Sequence, residues 1–502
     1  MDESHAEVLV IGAGPTGLFL AGELARHGVR PRVIDRFPTP HTQTRATGIQ
    51  PGALEILHRA GISQPFLDRS VPVKGLRILD ENMEEVFVNQ PPTLPSPFQF
   101  TRSLAQWQTE EILNEHLARL GVPVERGVTA QNITPIEGGV RVECTTEDGR
   151  EFSIIADYLV GAGGAHGPTR GALEQHLDGI TYSRRYLVAD VASEGVFRGD
   201  HFLSVAISRA GMLMIAELPL GRTLIVTDLP DGEPYPDSPD IDDLRQAIAR
   251  HLRRPFQVSD LRWISTYRAH RRMSPKIADG RIFLAGDAAH LCSPLAGEGM
   301  NSGFLDAASL AWKLGAVLRR GGKPALLAAY EDERHGVARQ VLASSEGMHD
   351  FFYTLVERAT LGLSLDTPPS DPTRQAPTPE MLHLAISDSP LLGYFGFYRA
   401  ASEVKPGRRF PDRARLEGIL HHLLVFADPQ DSATQALARR WSHILILIDG
   451  AAFCPPETAG VPLGGAALIT PDGYVAFQTD RWNSDAQGAL EELLSVQFEL
   501  KQ

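Results

Sequence analysis

The chain has 502 residues, enough at roughly 150 residues per domain for several domains and a large core without disulfides. It is 43% hydrophobic and 22% charged, with a formal net charge of −14 and no basic run. That composition reads as globular and excludes nucleic acid as a partner, because phosphate neutralisation supplies most of that affinity.

No apolar run approaches the ~18 residues of a membrane span, and the start, Met1 to His5, is acidic rather than basic-then-apolar as in a signal peptide. Cys144, Cys292 and Cys454 lie far apart with no CxxC. These features predict a cytoplasmic chain with no disulfide framework, membrane or metal.

Ala6 to Ile11 is a short, branched apolar run of the kind that forms a buried parallel strand. It runs into Gly12-Ala13-Gly14-Pro15-Thr16-Gly17, then a helical pattern from Leu18 to His27, then Gly28 and a second strand, Val29 to Ile34, closed by Asp35. In this GxGxxG unit Gly12 makes the tight turn, Gly14 admits a pyrophosphate and Gly17 lets helix and strand pack closely. The helix start offers free N–H groups and its positive end to phosphates, and Asp35 can accept from a ribose diol. The motif does not separate NAD from FAD; its place at the start of the chain favours FAD.

Short strands follow at Gly75 to Leu79 and Glu85 to Val88, with a loop from Gln90 to Pro95, and Gln106, Thr109 and Glu110 open a helix. A further strand, Tyr158 to Ala162, leads into Gly163-Gly164-Ala165-His166-Gly167-Pro168-Thr169-Arg170. From about 180 to 270 the chain reads as antiparallel strands, with Phe202 to Ile207, Met212 to Glu217 and Thr223 to Thr227 separated by turns at Arg209 to Gly211 and Pro219 to Arg222.

Near residue 280 comes a second fingerprint. Arg281 to Ala285 is a strand, followed by Gly286-Asp287-Ala288-Ala289-His290, then Ser293 to Asn301, and a helix carrying Leu305 to Val317 before Gly321-Gly322. An Asp at a strand end can hold a ribityl or ribose hydroxyl, and the Gly-rich turn lets backbone approach a flat ring. A helix starting near Gly299 would aim its N–H groups at the N1/O2 edge of a flavin and stabilise its anionic reduced form.

Together, the first GxGxxG, Gly280 to His290 (GRIFLAGDAAH), and Pro294 to Asn301 followed by Asp306 resemble the single-component FAD-dependent aromatic hydroxylases. These are the class A flavoprotein monooxygenases of the para-hydroxybenzoate and phenol hydroxylase type. The nearest resemblance is to bacterial polyketide hydroxylases with a thioredoxin-like tail. It spans residues 6 to 345, and more weakly 405 to 477.

The resemblance implies FAD as cofactor, NADPH or NADH as reductant, and O2 and a small aromatic molecule, polycyclic or polyketide-like, as substrates. Oxygen would pass to the substrate from a flavin C4a-hydroperoxide. The cofactor-binding residues it implies are Gly12, Gly14, Pro15, Thr16, Gly17, Asp35, Arg36, Arg45, Gln106, Asp287, Pro294, Gly297, Gly299, Met300 and Asn301. No catalytic side chain is implied beyond Arg45 and Pro294 beside the flavin ring. Epoxidation, Baeyer–Villiger oxygenation, and flavin or ligand binding without turnover stay open as alternatives. Halogenation is disfavoured, since Trp107, Trp263, Trp312, Trp441 and Trp482 form no WxWxIP. One departure is notable: the family usually has Asp-Gly where this chain has Gly163-Gly164, and that Asp supports both FAD and the nicotinamide cofactor.

The fold expected is α/β: a Rossmann-like FAD-binding domain (1–70, 101–178, 275–365) with an inserted antiparallel-sheet substrate domain (71–100, 179–274). A linker (366–404) and a thioredoxin-like C-terminal domain (405–502) complete it, in a monomer or homodimer. The sheet face carrying Met212, Leu213 and Met214 would form a wall of the substrate site, with plain core packing of the methionines as the alternative. His290 reads as a local structural partner, Cys292 as packing, and Arg268, His270, Arg271 and Arg272 as either a steering patch or an ion-paired face. His421-His422 lacks the spacing of a metal site.

In the tail, Asp366 to Glu380 is proline-rich and reads as a connector, Tyr394 to Tyr398 as an aromatic segment, and Pro406 to Asp412 as the point where folded chain resumes. Leu423 to Phe426, Ile444 to Ile448 and Ala467 to Thr470 read as strands, and Pro471 to Ala476 as a turn into another. Without CxxC this unit has no dithiol redox role, and packing at a dimer interface is its expected use.

Overall fold

The structure, a computed structural model, describes residues 2–90, 93–194, 199–229, 235–365, 381, 384–386, 389, 393–395, 406–411, 413–416 and 418–500. The expected connector at 366–380, Pro91-Pro92, most of the aromatic segment after Phe395, and Asp412 lie outside the described residues.

The first sheet has a parallel centre in the order Val124–Arg126, Pro31–Asp35, Asp2–Ile11, Glu151–Gly161, Ile282–Leu284. Its register puts Ile11 beside both Ile34 and Gly161, and Gly161 beside Leu284. Four strands therefore end level, and the loops after them, at Gly12, Asp35, Ala162 and Ala285, gather at the carboxyl edge where α/β sheets bind ligands. The antiparallel strands Val128–Ile136 and Gly139–Thr146 extend it through the first half of Glu151–Gly161.

Helix Pro15–Arg26 starts with proline at its first position, where the missing N–H costs nothing. It packs on helix Gly299–Arg319, with Phe19 and Phe304 edge to face at 5.2 Å. The Thr16 hydroxyl fills a niche between the two fingerprints: a Cβ on Gly303 or Gly286 would come within 2.2 or 2.5 Å of it.

The second sheet has eight strands in the order His290–Leu291, Gln257–Met273, Asp178–Glu194, Arg222–Leu229, Gly211–Leu218, Phe202–Ser208, Gly75–Leu79, Glu85–Asn89. It is antiparallel with one exception. Phe202–Ser208 runs parallel to Gly75–Leu79, and this pair joins the two segments that sequence separates.

Two further corrections arise here. Helix Ile241–His251 interrupts what the sequence suggested was all strand; it is opened by a capping box in which Asp240 accepts from Asp243 N and Asp243 from Asp240 N. Leu213 belongs with Leu244 and Ile248 under that helix, while Met212 and Met214 face the opposite way, towards Met348, Phe351 and Phe352 of helix Ala325–Thr360. Strand side chains alternate, so three consecutive residues cannot share a face.

The C-terminal α/β unit carries a five-stranded mixed sheet, Gly393–Phe395, Val475–Thr479, Ala466–Ile469, His421–Val425, Leu445–Asp449, flanked by helices Ser432–Arg440 and Ser484–Gln497. It is fastened to the first domain through Glu55, whose buried carboxylate meets Arg409 at 3.0 Å and Arg413 at 2.6 Å. Cys454 in this unit is buried.

A cavity between the two large sheets

A cavity of about 950 Å³ runs from the carboxyl edge of the parallel sheet to the face of the second sheet. The glycine fingerprint forms one end. Gly12, Gly14, Pro15 and Thr16 line it together with Asp35, Arg36 and Gln106. Gly12 needs its glycine: φ is +111° and a Cβ would lie 2.5 Å from the Ala162 carbonyl oxygen. At Gly14 a Cβ would meet nothing within 4 Å, so the helix start opens on free space. No side chain caps that helix, which leaves its first N–H groups to a ligand.

Asp35 is more occupied than the sequence implied. One carboxylate oxygen accepts from Ala13 N at 2.6 Å and the other from Phe37 N at 2.8 Å, which ties the strand end to the fingerprint turn.

The middle of the cavity is lined by Arg45, Asp287, Pro294, Gly297, Gly299 and Met300. Burial raises the pKa of Asp287, with His290 and Arg45 opposing. The loop bearing Arg45 is held from behind: Thr44 donates to Asp190 at 3.0 Å, and Asp190 in turn pairs with Arg222. The turn bearing Asp287 hangs on Asp306, whose carboxylate accepts from Gly286 N at 2.9 Å and Arg334 Nε at 2.7 Å and meets His290 Nε2 at 2.8 Å. Burial alone would raise the Asp306 pKa, but His290 and Arg334 hold it at about 2.

Two of the residues expected around a cofactor do not line the cavity. Gly17 lies behind the turn, where a Cβ would fall 1.9 Å from the Gly12 carbonyl oxygen; it is a packing glycine. Asn301 is a fastener: its Oδ1 accepts from Gln50 N at 2.9 Å while its Nδ2 donates to Gly48 O at 2.8 Å and Gly297 O at 2.7 Å.

Helix Gly299–Arg319 points its start at this middle region. Glu298, just before it, is buried; burial lifts its pKa to about 8, with Ser344 opposing. Burial thus favours the neutral form of Glu298, which does not cancel the positive helix end. Cys292 lines the cavity with its thiol pushed up by burial and by Glu298 and Asp287, hence inert. His290 is buried against Asp306.

The far end belongs to the second sheet and the long helix. Val188, Leu203, Met214, Ala216, Leu224 and Val226 form the wall, closed by Tyr267, Met348 and Phe352. Among the described residues these elements bring no charged side chain to the cavity. Tyr267 stacks on Tyr186, whose hydroxyl meets that of Tyr353 at 2.8 Å, and Tyr353 donates to Asp228 at 2.6 Å. Sequence reading missed Met348 and Phe352; their i, i+4 spacing on a helix was the available signal.

The basic cluster divides. Arg271 pairs with Glu346, and His270 bonds Thr181 at 3.0 Å. His270 has its pKa lowered by burial first, then by Arg272, His166 and Arg268; of these groups His166 lines the cavity. Among the described residues no cluster of His, Cys, Asp or Glu could hold a metal, and no helix is long and apolar enough to cross a membrane.

Residues 5–345 match the sequence profile of a family described as FAD binding domain. The chain is 34% identical over 510 residues to 6-methylpretetramide 4-monooxygenase of Streptomyces rimosus, covering 95% of this chain and 91% of that protein. It is 31% identical over 353 residues to pentachlorophenol 4-monooxygenase of Sphingobium chlorophenolicum, covering 69% and 65%. Among solved structures, the flavin-dependent monooxygenase PieE in complex with FAD and substrate superposes with a TM-score of 0.85 at 22% identity, over 99% of each chain. A ternary complex of aklavinone-11 hydroxylase with FAD and aklavinone gives 0.78 at 24% identity, over 98% of this chain and 99% of that one.

Proposed function

The chain belongs to the FAD binding domain family of flavin-dependent monooxygenases, and from that premise we propose that it hydroxylates a large, flat, neutral polycyclic aromatic compound. The observation that carries the substrate class is the far end of the cavity, where the second sheet and the long helix bring mainly apolar side chains and, among the described residues, no charged one to anchor a carboxylate. A polyketide-like ring system fits such a wall, because burial of its apolar faces supplies the binding energy. The names of the relatives, 6-methylpretetramide 4-monooxygenase among them, point the same way.

The residues present suit FAD. The open space at Gly14, the uncapped helix start and the acid at Asp287 are a cradle for a diphosphate and a sugar-like chain. We assign Gly12, Gly14, Pro15 and Thr16 to the diphosphate, and Asp35, Arg36 and Gln106 to the adenosine side. Arg45, Asp287, Pro294, Gly297, Gly299 and Met300 are assigned to the ribityl and ring side, with Gly17 and Asn301 holding the two loops in place.

When bound, FAD supplies hydride acceptance from NAD(P)H and activation of O2. The protein's part is to orient and to exclude water. The start of helix Gly299–Arg319 stabilises negative charge in front of it, and the wall at Met214, Tyr267 and Phe352 positions the substrate ring and keeps the site dry. Gly163 leaves its loop without the expected carboxylate, and the guanidinium groups of Arg268 and Arg272, on the strand that carries His270, are the positive charge available near the His166 loop to the reductant's phosphates. We divide the chain as the sequence suggests, with the inserted substrate domain and the C-terminal unit as separate domains, in a cytoplasmic monomer or homodimer.

The test is substrate-stimulated NADPH oxidation by the FAD-loaded enzyme, with mass spectrometry of the products. Neutral tricyclic and tetracyclic phenols are expected to stimulate oxidation and gain one hydroxyl. Stimulation only by single-ring carboxylates would contradict the proposal, and a ring-expanded or epoxide product would shift the reaction type. Ala216→Phe should crowd the wall and raise KM for such substrates roughly tenfold or more, an overpacking cost of about 1–3 kcal/mol. FAD content, measured by absorbance, should be unchanged because Ala216 lies at the other end of the cavity.

A further inference from the structure

Glu110 is an acid that the oxygenation chemistry does not use. It sits on helix Gln106–Arg119, 1% exposed, and it lines the cavity beside Asp35 and Arg36. Its Oε1 accepts from Gln106 Nε2 at 2.9 Å, the His41 backbone N–H also faces the carboxyl, and its Oε2 has no well-formed hydrogen bond among the described residues. A buried carboxylate oxygen left in that state is costly; a buried carboxylic acid with its O–H directed at a ligand acceptor is not.

Asp35, at the same end of the cavity, makes the contrast. Both of its oxygens already accept backbone N–H donors, from Ala13 and Phe37. A bound dinucleotide brings a third acidic group, its diphosphate, to the uncapped helix start nearby. Of these three, the one short of donors takes the proton.

We propose that Glu110 receives the adenosine half of FAD as a neutral carboxylic acid, donating its proton to a ribose hydroxyl or phosphate oxygen, so that binding above neutral pH takes up a proton. The proposal rests on the assignment of this cavity to FAD.

The charges facing Glu110 come from three neighbouring elements. Asp35 and Arg36 lie at the end of strand Pro31–Asp35, His41 on the loop after it, and Arg126 on strand Val124–Arg126. On its own helix, Gln106 and Asn114 are neutral. Burial lifts the Glu110 pKa to about 7, with Gln106, Arg126 and the His41 backbone opposing and Asp35 adding to the rise. A diphosphate adds in the same direction as Asp35, so the acid is more firmly protonated with the ligand in place. Sequence alone marks Glu110 only as part of a helix opening, since the missing partner on Oε2 is visible only in three dimensions.

The experiment is calorimetric titration of the full-length apoprotein with FAD, and separately with ADP as a probe of the adenosine half, in buffers of different ionisation enthalpy. At about pH 8 the wild type is expected to take up close to one proton per FAD and per ADP, and its affinity to fall by at most about tenfold per pH unit above neutrality. Glu110→Gln, which keeps the shape and the Gln106 contact, should take up almost none, lose that pH dependence and keep the wild-type affinity at about pH 6. Wild type that takes up no proton on binding overturns the proposal whatever the variant does, as does a variant with undiminished uptake. If neither FAD nor ADP binds the wild type at any pH, it is the FAD assignment that has failed.

Discussion

Alanine at Gly17 is expected to leave the protein colourless, with little bound flavin, and less stable by about 1–3 kcal/mol or more. Gly17 lies inside helix Pro15–Arg26, so its backbone conformation is not the obstacle. The obstacle is space: the added Cβ would lie 1.9 Å from the Gly12 carbonyl oxygen and 3.3 Å from Ala162 Cβ. Backbone cannot yield as a flexible side chain does, so the helix must back away from the sheet. That movement would draw Thr16 out of its niche against Gly286 and Gly303 and separate the two fingerprints. Gly14→Ala is the control. Its Cβ meets no protein atom within 4 Å, so the fold should keep its urea midpoint while the methyl group intrudes on the cavity and weakens FAD. Urea unfolding and flavin content of the two variants separate the packing glycine from the binding one; equal midpoints would contradict this division.

Asp306→Asn is expected to cost about 3–5 kcal/mol, because it removes the charge between His290 and Arg334 and leaves buried partners behind. Asp306 and Arg334 are each 1% exposed, and Arg334 has one nitrogen without a partner even in the intact structure. The same carboxylate sets the Gly286 turn, where φ is +60°, so Asp287 should lose its position and the flavin should bind less tightly. The pH dependence has a definite sign. A folded pKa of about 2 lies below the ordinary value of 3.8, so the stabilisation is fully present above about pH 4 and is lost as pH falls towards 2. Urea midpoints from pH 6 down to about 2 should therefore converge for wild type and variant at the acid end. A constant gap across that range would contradict the ionised assignment of Asp306.

What was legible in the sequence was local. The strand–GxGxxG–helix–strand unit and the strand–Gly-Asp–helix unit each announce themselves within a few tens of residues, and both gather where expected, around one cavity. What was not legible depended on distance along the chain or on the facing of a side chain. Nothing near Gly75 says that it will pair in parallel with Phe202, and Asp306 shows its use only when Arg334 and His290 close on it. Leu213 was grouped with its methionine neighbours although strand alternation already separates them. Helix Ile241–His251 had a readable start in Asp240 and Asp243 and an apolar face at Leu244, Ala247 and Ile248, but lay inside a region dominated by strand patterns. Asn301 belongs to a motif, yet its work is done on Gly48, Gln50 and Gly297.

Whether FAD in this cavity is reduced despite Gly163 decides between a working monooxygenase and a flavin-binding protein. Anaerobic addition of NADPH, then NADH, to the FAD-loaded protein, followed spectroscopically for hours with and without a polycyclic phenol, tests it most directly. The oxidised flavin band is expected to bleach, faster with the phenol present, and to return on admitting oxygen with one hydroxyl added to the phenol. A flavin that binds but stays oxidised under every one of these conditions would contradict the account and leave a flavin-binding protein without turnover.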